Sequence, residues 1–172
     1  MKDKKHYSGF ISIIGNPNVG KSTLMNALTG INLSIITNKA QTTRHRILGI
    51  LSGDDYQIVL SDTPGIIKPA YQMQNSMMTF VKEALDDADI LIYMIEIGEK
   101  KINDESYLQK IKSSKVPVIV LINKIDESNQ DQVENSVKKW QNYLPNASIY
   151  PISALKNFFI KELLEILKKI LP

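Results

Sequence analysis

The chain alternates short apolar runs with longer segments in which apolar residues recur every three or four positions. The short runs predict six strands, at residues 10–14, 47–51, 56–61, 90–95, 118–122 and 148–152. Several of these runs are continuous Ile, Val and Leu, which is typical of strands covered by helices on both faces. The amphipathic segments predict five helices, at residues 21–28, 72–88, 103–113, 131–143 and 159–171.

The order of these segments predicts an α/β fold with a six-stranded, mostly parallel sheet and helices on both faces. Only the four residues SGDD separate the second and third strands. Because that connection is too short for a helical crossover, we expect the two strands to form an antiparallel hairpin at one edge. No repeat or linker divides the 172 residues, so we expect a single domain over residues 1–172.

Composition narrows the function class only a little. The absence of cysteine excludes disulfides, thiolate catalysis and cysteine-ligated metals. A net charge of +3 is too small to indicate a nucleic-acid-binding surface. The sequence has neither a run of about 18 apolar residues nor an apolar signal core at its start, so we expect a cytoplasmic protein.

The first motif that carries chemistry is GNPNVGKS at residues 15–22, which fits G-x-x-x-x-G-K-[ST]. It follows a predicted strand and opens a predicted helix, as a phosphate-binding loop must. Gly15 and Gly20 let backbone amides approach an anion closely, and the helix N-terminus adds partial positive charge. Lys21 would reach the β- and γ-phosphates, and the Ser22 hydroxyl would bind Mg²⁺.

The second motif is DTPG, which begins with Asp62 at the end of the third predicted strand. Parallel strands end at one edge of the sheet, so this carboxylate should lie near the phosphate loop and hold Mg²⁺, through water. Gly65 leaves room for its amide to approach a γ-phosphate oxygen. The segment beyond it would then be ordered by a triphosphate and released by a diphosphate.

Two further motifs predict which base is bound. NKID follows the strand at 118–122, and the Asp126 carboxylate can accept from guanine N1–H and from its exocyclic amine, whereas adenine offers neither. Asn123 would tie neighbouring loops together, and the Lys124 stem would lie along the base. The segment SAL would complete the pocket with backbone donors. The predicted nucleotide-binding residues are Gly15, Asn16, Pro17, Asn18, Val19, Gly20, Lys21, Ser22, Thr23, Asp62, Thr63, Pro64, Gly65, Ile66, Asn123, Lys124, Asp126, Ser153, Ala154 and Leu155.

Together with KAQTTRHR at residues 39–46, these motifs resemble the translation-factor-type P-loop GTPases. Within that group the chain resembles the Era family of bacterial ribosome-assembly GTPases, and the resemblance covers nearly the whole sequence. Related families with tandem GTPase domains or tRNA-modifying activity tend to have Asp where this chain has His45.

The resemblance implies a Mg²⁺-dependent GTPase that acts as a molecular switch. Residues 39–46 would be its first switch, with Thr43, or less favoured Thr42, as a metal ligand beside Ser22 and Asp62. It also implies a partner, the small ribosomal subunit with its 16S rRNA, bound through a C-terminal KH domain that this sequence lacks. A monomeric domain is expected, and peripheral association of the longer protein with the inner face of the cell membrane is left open.

Ile66 stands where many signalling GTPases have a glutamine that orients the attacking water, and isoleucine cannot do this. In related GTPases an asparagine at the position of Asn18 helps to hold K⁺ against the phosphates. Asn18 therefore either binds K⁺ or only shapes the loop, and a partner can instead supply the missing group. The candidate catalytic residues are Asn18, Lys21, Thr43 and Gly65.

Two other function classes stay open at this point. One is a GTP- or GDP-dependent binding module whose hydrolysis is negligible without a partner. The other, more distant, is an unrelated nucleotide enzyme such as an ATP-dependent kinase.

Overall fold

The structure is a computed structural model, and it describes residues 5–30 and 46–172. Thr42 and Thr43, the two candidate metal ligands of the first switch, lie outside the described residues. So does His45, and of residues 39–46 only Arg46 is described.

The described residues form six strands and five helices, in the order that the sequence predicts. The strands are β1 (Tyr7–Ile14), β2 (Ile47–Ser52), β3 (Tyr56–Asp62), β4 (Ile90–Glu96), β5 (Val118–Asn123) and β6 (Ser148–Pro151). The helices are α1 (Lys21–Thr29), α2 (Gln72–Asp87), α3 (Glu105–Lys112), α4 (Gln130–Tyr143) and α5 (Ile160–Ile170), with a short 3₁₀ turn at Ile125–Glu127. No helix in this part of the chain is long and apolar enough to cross a membrane.

The strands form one sheet in the order β2-β3-β1-β4-β5-β6. β2 pairs antiparallel with β3 at the edge, and the other neighbouring pairs are parallel. The predicted fold class, with its antiparallel edge hairpin, is confirmed. Because the five other strands are parallel, their carboxyl ends lie at one edge of the sheet, where ligands bind in open α/β folds.

Helices cover both faces of the sheet, and each face carries its own apolar core. The alternation is clearest in β4, where Ile92 and Met94 belong to one core while Leu91 and Tyr93 belong to the other. α5 packs into the first core, for example through Leu163, and α2 and α4 pack into the second. A strand buried on both faces must be apolar at every position, which is why the sequence showed continuous runs.

The helix boundaries differ slightly from those predicted. α3 begins at Glu105 rather than at residue 103, because the Asp104 side chain accepts from the Ser106 amide at 3.0 Å and caps the helix. Asn103 therefore lies in the loop before the helix. β1 also begins three residues early, at Tyr7, since it pairs in register with β3 from Tyr56 onward.

Candidate nucleotide-binding site

The phosphate loop connects β1 to α1, and its geometry depends on Gly20. This residue caps α1 with a φ of 105°, a left-handed conformation that favours glycine. A Cβ atom built there would lie 2.3 Å from Asn123 Nδ2. Glycine at this position therefore allows the first amides of α1 and the NKID motif to meet.

Lys21, in the first turn of α1, is buried and turned back into the loop. Its ammonium donates to the carbonyl oxygens of Gly15 at 3.3 Å and Asn16 at 2.8 Å. Burial lowers the pKa of Lys21 to about 8, against the opposing influence of the Asp62 and Glu99 carboxylates. A phosphate group beside the ammonium would supply negative charge and raise that pKa again.

Ser22 and Asp62 meet where α1 begins and β3 ends. Asp62 is fully buried, and its Oδ2 accepts from the Ser22 hydroxyl at 2.7 Å. One hydroxyl and one carboxylate are the hard oxygen donors that Mg²⁺ takes, the remaining positions being filled by phosphates and water. Within residues 5–30 and 46–172 no group of three or more His, Cys, Asp or Glu side chains could hold a metal ion.

The segment after Asp62 lies directly against the phosphate loop. Thr63 Oγ1 donates to the Ile13 carbonyl at 2.8 Å, and the Ile66 amide donates to the Gly15 carbonyl at 2.9 Å. A Cβ atom at Gly65 would lie 2.6 Å from backbone atoms of Pro17, so only glycine permits this contact. The two loops expected to contact the phosphates are therefore in van der Waals contact with each other.

Several predicted site residues turn their side chains into the protein interior. Ile66 is fully buried in the second core, which removes its side chain from any role beside the attacking water. Val19 packs into the first core, and Thr63 bonds to β1. At these three positions only the backbone can contact a nucleotide. Thr23 lies in the first turn of α1, next to the phosphate loop.

Asn123 joins three of the predicted motifs through one side chain. Its Nδ2 donates to the Val19 carbonyl at 2.8 Å, and its Oδ1 accepts from the Ala154 amide at 3.0 Å. The side chain is buried. The phosphate loop, the NKID segment and the SAL segment are thereby fixed relative to one another.

The other side chains predicted for the base pocket are those of Lys124, Asp126, Ser153 and Leu155. The Asp126 carboxylate is exposed at the sheet edge, and its Oδ1 accepts from the Ser153 hydroxyl at 2.6 Å. Lys124, at a φ of 65°, reaches over the phosphate loop to the Asn18 carbonyl at 2.8 Å and to Glu96 Oε2 at 2.5 Å. The Leu155 side chain is 70% exposed, so it contributes no enclosed wall.

Two residues that the sequence did not single out also reach this region. Glu99 and Asn103, in the loop between β4 and α3, both bond to Asn16 of the phosphate loop. Burial raises the pKa of Glu99 to about 7, although hydrogen bonds from the Glu96 backbone and the Asn16 side chain, and the Lys21 charge, oppose the rise. The strand order could have indicated these residues, because the loop after β4 leaves the sheet at the same edge as the predicted site.

A protein-family model described as "50S ribosome-binding GTPase" matches residues 10–124, about two thirds of the chain. The chain belongs to this GTPase family. Within it, the chain is similar to GTPase Era of Clostridium beijerinckii, with 43% identity over 169 residues. That alignment covers 96% of this chain and 56% of the relative. The resemblance to the Era family indicated by the motifs is confirmed.

Solved structures of Era show the same architecture. Era in complex with MgGDPNP and a segment of 16S ribosomal RNA matches with a TM-score of 0.91 and 40% identity, covering 97% of this chain and 58% of that one. A variant of Aquifex aeolicus Era bound to GDP and AlF₄⁻ matches with a TM-score of 0.90 and 40% identity, over 96% and 57% of the two chains. The chain thus spans somewhat more than half the length of these GTPases.

Proposed function

We propose that this chain is the GTPase domain of an Era-type protein, a molecular switch that binds guanine nucleotides with Mg²⁺ and slowly hydrolyses GTP. The observation that carries the proposal is the Asn123 side chain, which bonds to both the Val19 carbonyl and the Ala154 amide. This buried amide fixes the distance between the phosphate loop and the predicted base pocket. A single nucleotide must reach both, so the distance has to be fixed.

On this proposal the phosphates lie on the amides of residues 15–23, at the N-terminus of α1. Lys21 exchanges its carbonyl partners for β- and γ-phosphate oxygens. Ser22 and Asp62 hold Mg²⁺, which would neutralise charge on the same phosphates. The Gly65 amide meets the γ-phosphate, so that only a triphosphate engages the segment after Asp62. Thr43 is the proposed further metal ligand, supported by the family resemblance alone.

Guanine selectivity is assigned to Asp126. Its Oδ1 is oriented by the Ser153 hydroxyl at 2.6 Å, and this places the carboxylate beside the SAL backbone. Adenine would leave the carboxylate without donors, and sites built around a required hydrogen bond reject such analogues by roughly 10⁴-fold or more.

For hydrolysis, the proposal needs a group other than Ile66, whose side chain is buried in the core. Asn18 lies in the phosphate loop at a φ of 63°, and it is the proposed ligand for a K⁺ ion that would stabilise charge developing on the phosphates. A partner that supplies a charged group is the second candidate for this role.

The proposed partner of the longer protein is the small ribosomal subunit, because an Era relative is solved with 16S ribosomal RNA. We assign that contact to a C-terminal KH domain outside these 172 residues, which act as a monomeric cytoplasmic domain. Peripheral membrane association would likewise belong to the longer protein. The family description names the 50S subunit, which is the large one. We favour the small subunit because the chain is 40% identical to the Era that is solved with 16S ribosomal RNA.

Phosphate release from GTP by the purified chain tests the proposal. We expect slow, steady turnover with Mg²⁺, none with a chelator, and competition for binding by GDP but not by ADP or ATP. If the chain bound guanine nucleotides and hydrolysed GTP only after small ribosomal subunits were added, the result would favour a partner-dependent binding module. Preference for ATP would contradict the proposal altogether.

A further inference from the structure

The loop of residues 97–104 leaves the carboxyl end of β4 and lies beside the phosphate loop. The Asn16 side chain is turned into it rather than towards the phosphates. Asn16 Nδ2 donates to Glu99 Oε1 at 2.6 Å and to the Lys101 carbonyl at 3.1 Å, and Asn16 Oδ1 accepts from the Asn103 amide at 2.8 Å. Both donors of this buried amide are thus used on one loop.

Asn103 then extends the contact to a third loop. Its Nδ2 donates to the Ile66 carbonyl at 3.1 Å, while the Ile66 amide donates to the Gly15 carbonyl at 2.9 Å. Gly15 and Asn16 are adjacent, so these bonds close a ring that passes through Gly15, Asn16, Asn103 and Ile66. We call this set the loop ring.

The loop that supplies Asn103 is itself held firmly. Ile102 is 1% exposed and belongs to the second core. Lys139 of α4 donates to the Lys100 carbonyl at 3.0 Å, and Glu99 Oε2 accepts from the Glu96 amide at 3.1 Å. Asn103 therefore projects from a loop that is held by contacts of its own.

We propose that Asn103 is a positioning residue, whose side-chain amide holds the Ile66 peptide so that the Gly65 amide is presented to the γ-phosphate. Gly65 directly precedes Ile66, and it already abuts Pro17 of the phosphate loop. The two bonds hold the two peptide groups that flank Ile66, directly after Gly65, and the Thr63 side chain is held on β1 before it. Anchoring the chain on both sides of Gly65 limits the movement of the Gly65 amide. This inference rests on the proposed function, since it names the residue that prepares the second switch for GTP.

If the Gly65 amide is held in place before the nucleotide binds, less conformational entropy is lost when the γ-phosphate binds to it. Losing one such hydrogen bond typically corresponds to about a 3- to 10-fold change in an equilibrium. Asn103→Ala should therefore weaken binding of the triphosphate analogue GDPNP by about this factor and leave GDP affinity unchanged, and single-turnover GTP hydrolysis should slow. Asn103→Leu, which keeps a similar shape and adds no charge but cannot donate, should behave alike.

The test uses three measurements on the 172-residue chain and these two variants. GDP and GDPNP affinities give their ratio, single-turnover hydrolysis gives the rate, and hydrogen exchange of residues 65–67 in the nucleotide-free chain reports the loop ring directly. Asn142→Leu is the matched control, because it makes the same amide-to-leucine change at an exposed position in α4. It should change none of the three.

Faster exchange at residues 65–67 together with a selective loss of GDPNP affinity would support the proposal. Equal losses of GDP and GDPNP affinity, an unchanged ratio, or faster hydrolysis in both variants would overturn it. If the wild-type chain bound no guanine nucleotide, the proposed function would fail. The exchange measurement would still decide whether Asn103 holds the Ile66 peptide.

Discussion

The base end and the phosphate end of the site are held together by different kinds of contact. At the base end, bonds between side chains and the backbone fix the pocket, as in Asn123 to Ala154, and Ser153 orients Asp126. The Asp126 carboxylate can accept from guanine while Ser153 still donates to its Oδ1, because a carboxylate oxygen can accept more than one hydrogen bond. At the phosphate end, Lys21 bonds to two loop carbonyls and Ser22 bonds directly to Asp62. On the proposed function, phosphates and Mg²⁺ would replace these contacts.

The difference assigns two tasks to two halves of one pocket. On the proposed function, the base end would supply selectivity, because its donors and acceptors are positioned before the ligand arrives. A phosphate end whose contacts are exchanged on binding can adopt different arrangements with GDP and GTP, which is what a switch requires. The loop ring connects this exchangeable end to the braced loop after β4.

The strongest way to break the comparison is to change the base end alone. Asp126→Asn should move preference from guanine towards xanthine by roughly 10³- to 10⁴-fold, because the amide can donate to the xanthine C2 carbonyl and still accept from N1–H. Nucleotide competition series with GTP and XTP would measure this. Glu127→Gln, the same acid-to-amide change one residue along, should leave selectivity unchanged. Unaltered GTP selectivity in Asp126→Asn would remove this carboxylate from the pocket.

Removing the Lys21 or the Ser22 side chain at the phosphate end should change nucleotide affinity in different ways. Lys21→Ala should weaken GDP binding by about 10²- to 10³-fold with or without Mg²⁺, since it removes charge-assisted bonds to phosphate. Ser22→Ala should weaken binding chiefly when Mg²⁺ is present. Titrations with and without a chelator would separate the two. Losses that are the same in both conditions for Ser22→Ala would contradict its role as a metal ligand.

Hydrolysis should depend on the monovalent cation. At equal ionic strength GTP turnover should be about 30- to 150-fold faster in K⁺ than in Na⁺, which corresponds to about 2–3 kcal/mol at the transition state. Asn18→Ala should abolish the difference while nucleotide affinity changes much less. Equal wild-type rates in the two salts would reject the K⁺ proposal and indicate that a partner supplies the missing catalytic group. A K⁺ effect that survives Asn18→Ala would reject this ligand.

The smallest expected effect is on stability, through Glu99. Its pKa is raised to about 7 in the folded chain, so between pH 4.5 and 7 the folded state holds a proton that the unfolded state has lost. The free energy of unfolding should therefore fall as the pH rises through this window. Urea unfolding at pH 5 and 7.5 should show a weaker pH dependence in Glu99→Gln. Equal slopes in both proteins would contradict the raised pKa.

The sequence predicted those parts of the molecule that depend on short stretches of chain. Short apolar runs, several of them continuous, predicted all six strands, and a four-residue connection predicted the antiparallel hairpin at the edge. The phosphate loop, DTPG, NKID and SAL could be placed at one edge because each follows a strand, and the fold brings them together as expected.

The loop ring could not be predicted in the same way. Asn16 contacts Glu99 and Asn103 across 83 and 87 residues, and no local pattern shows which side chains of a polar loop turn towards a neighbouring one. Periodicity also placed Asn103 inside a helix, because the cap at Asp104 competes with the helical pattern. For Ile66 the sequence excluded a role in orienting water, but its full burial in the second core is a tertiary fact.

The central claim is that the phosphate end switches while the base end stays fixed. Hydrogen exchange of the chain with GDP and with GDPNP, both with Mg²⁺, tests it most directly. We expect exchange to slow with GDPNP in residues 39–46 and 66–74, and to be the same with both nucleotides in residues 123–126 and 152–155. Equal exchange at the phosphate end in the two states, or a change as large at the base end, would contradict the account.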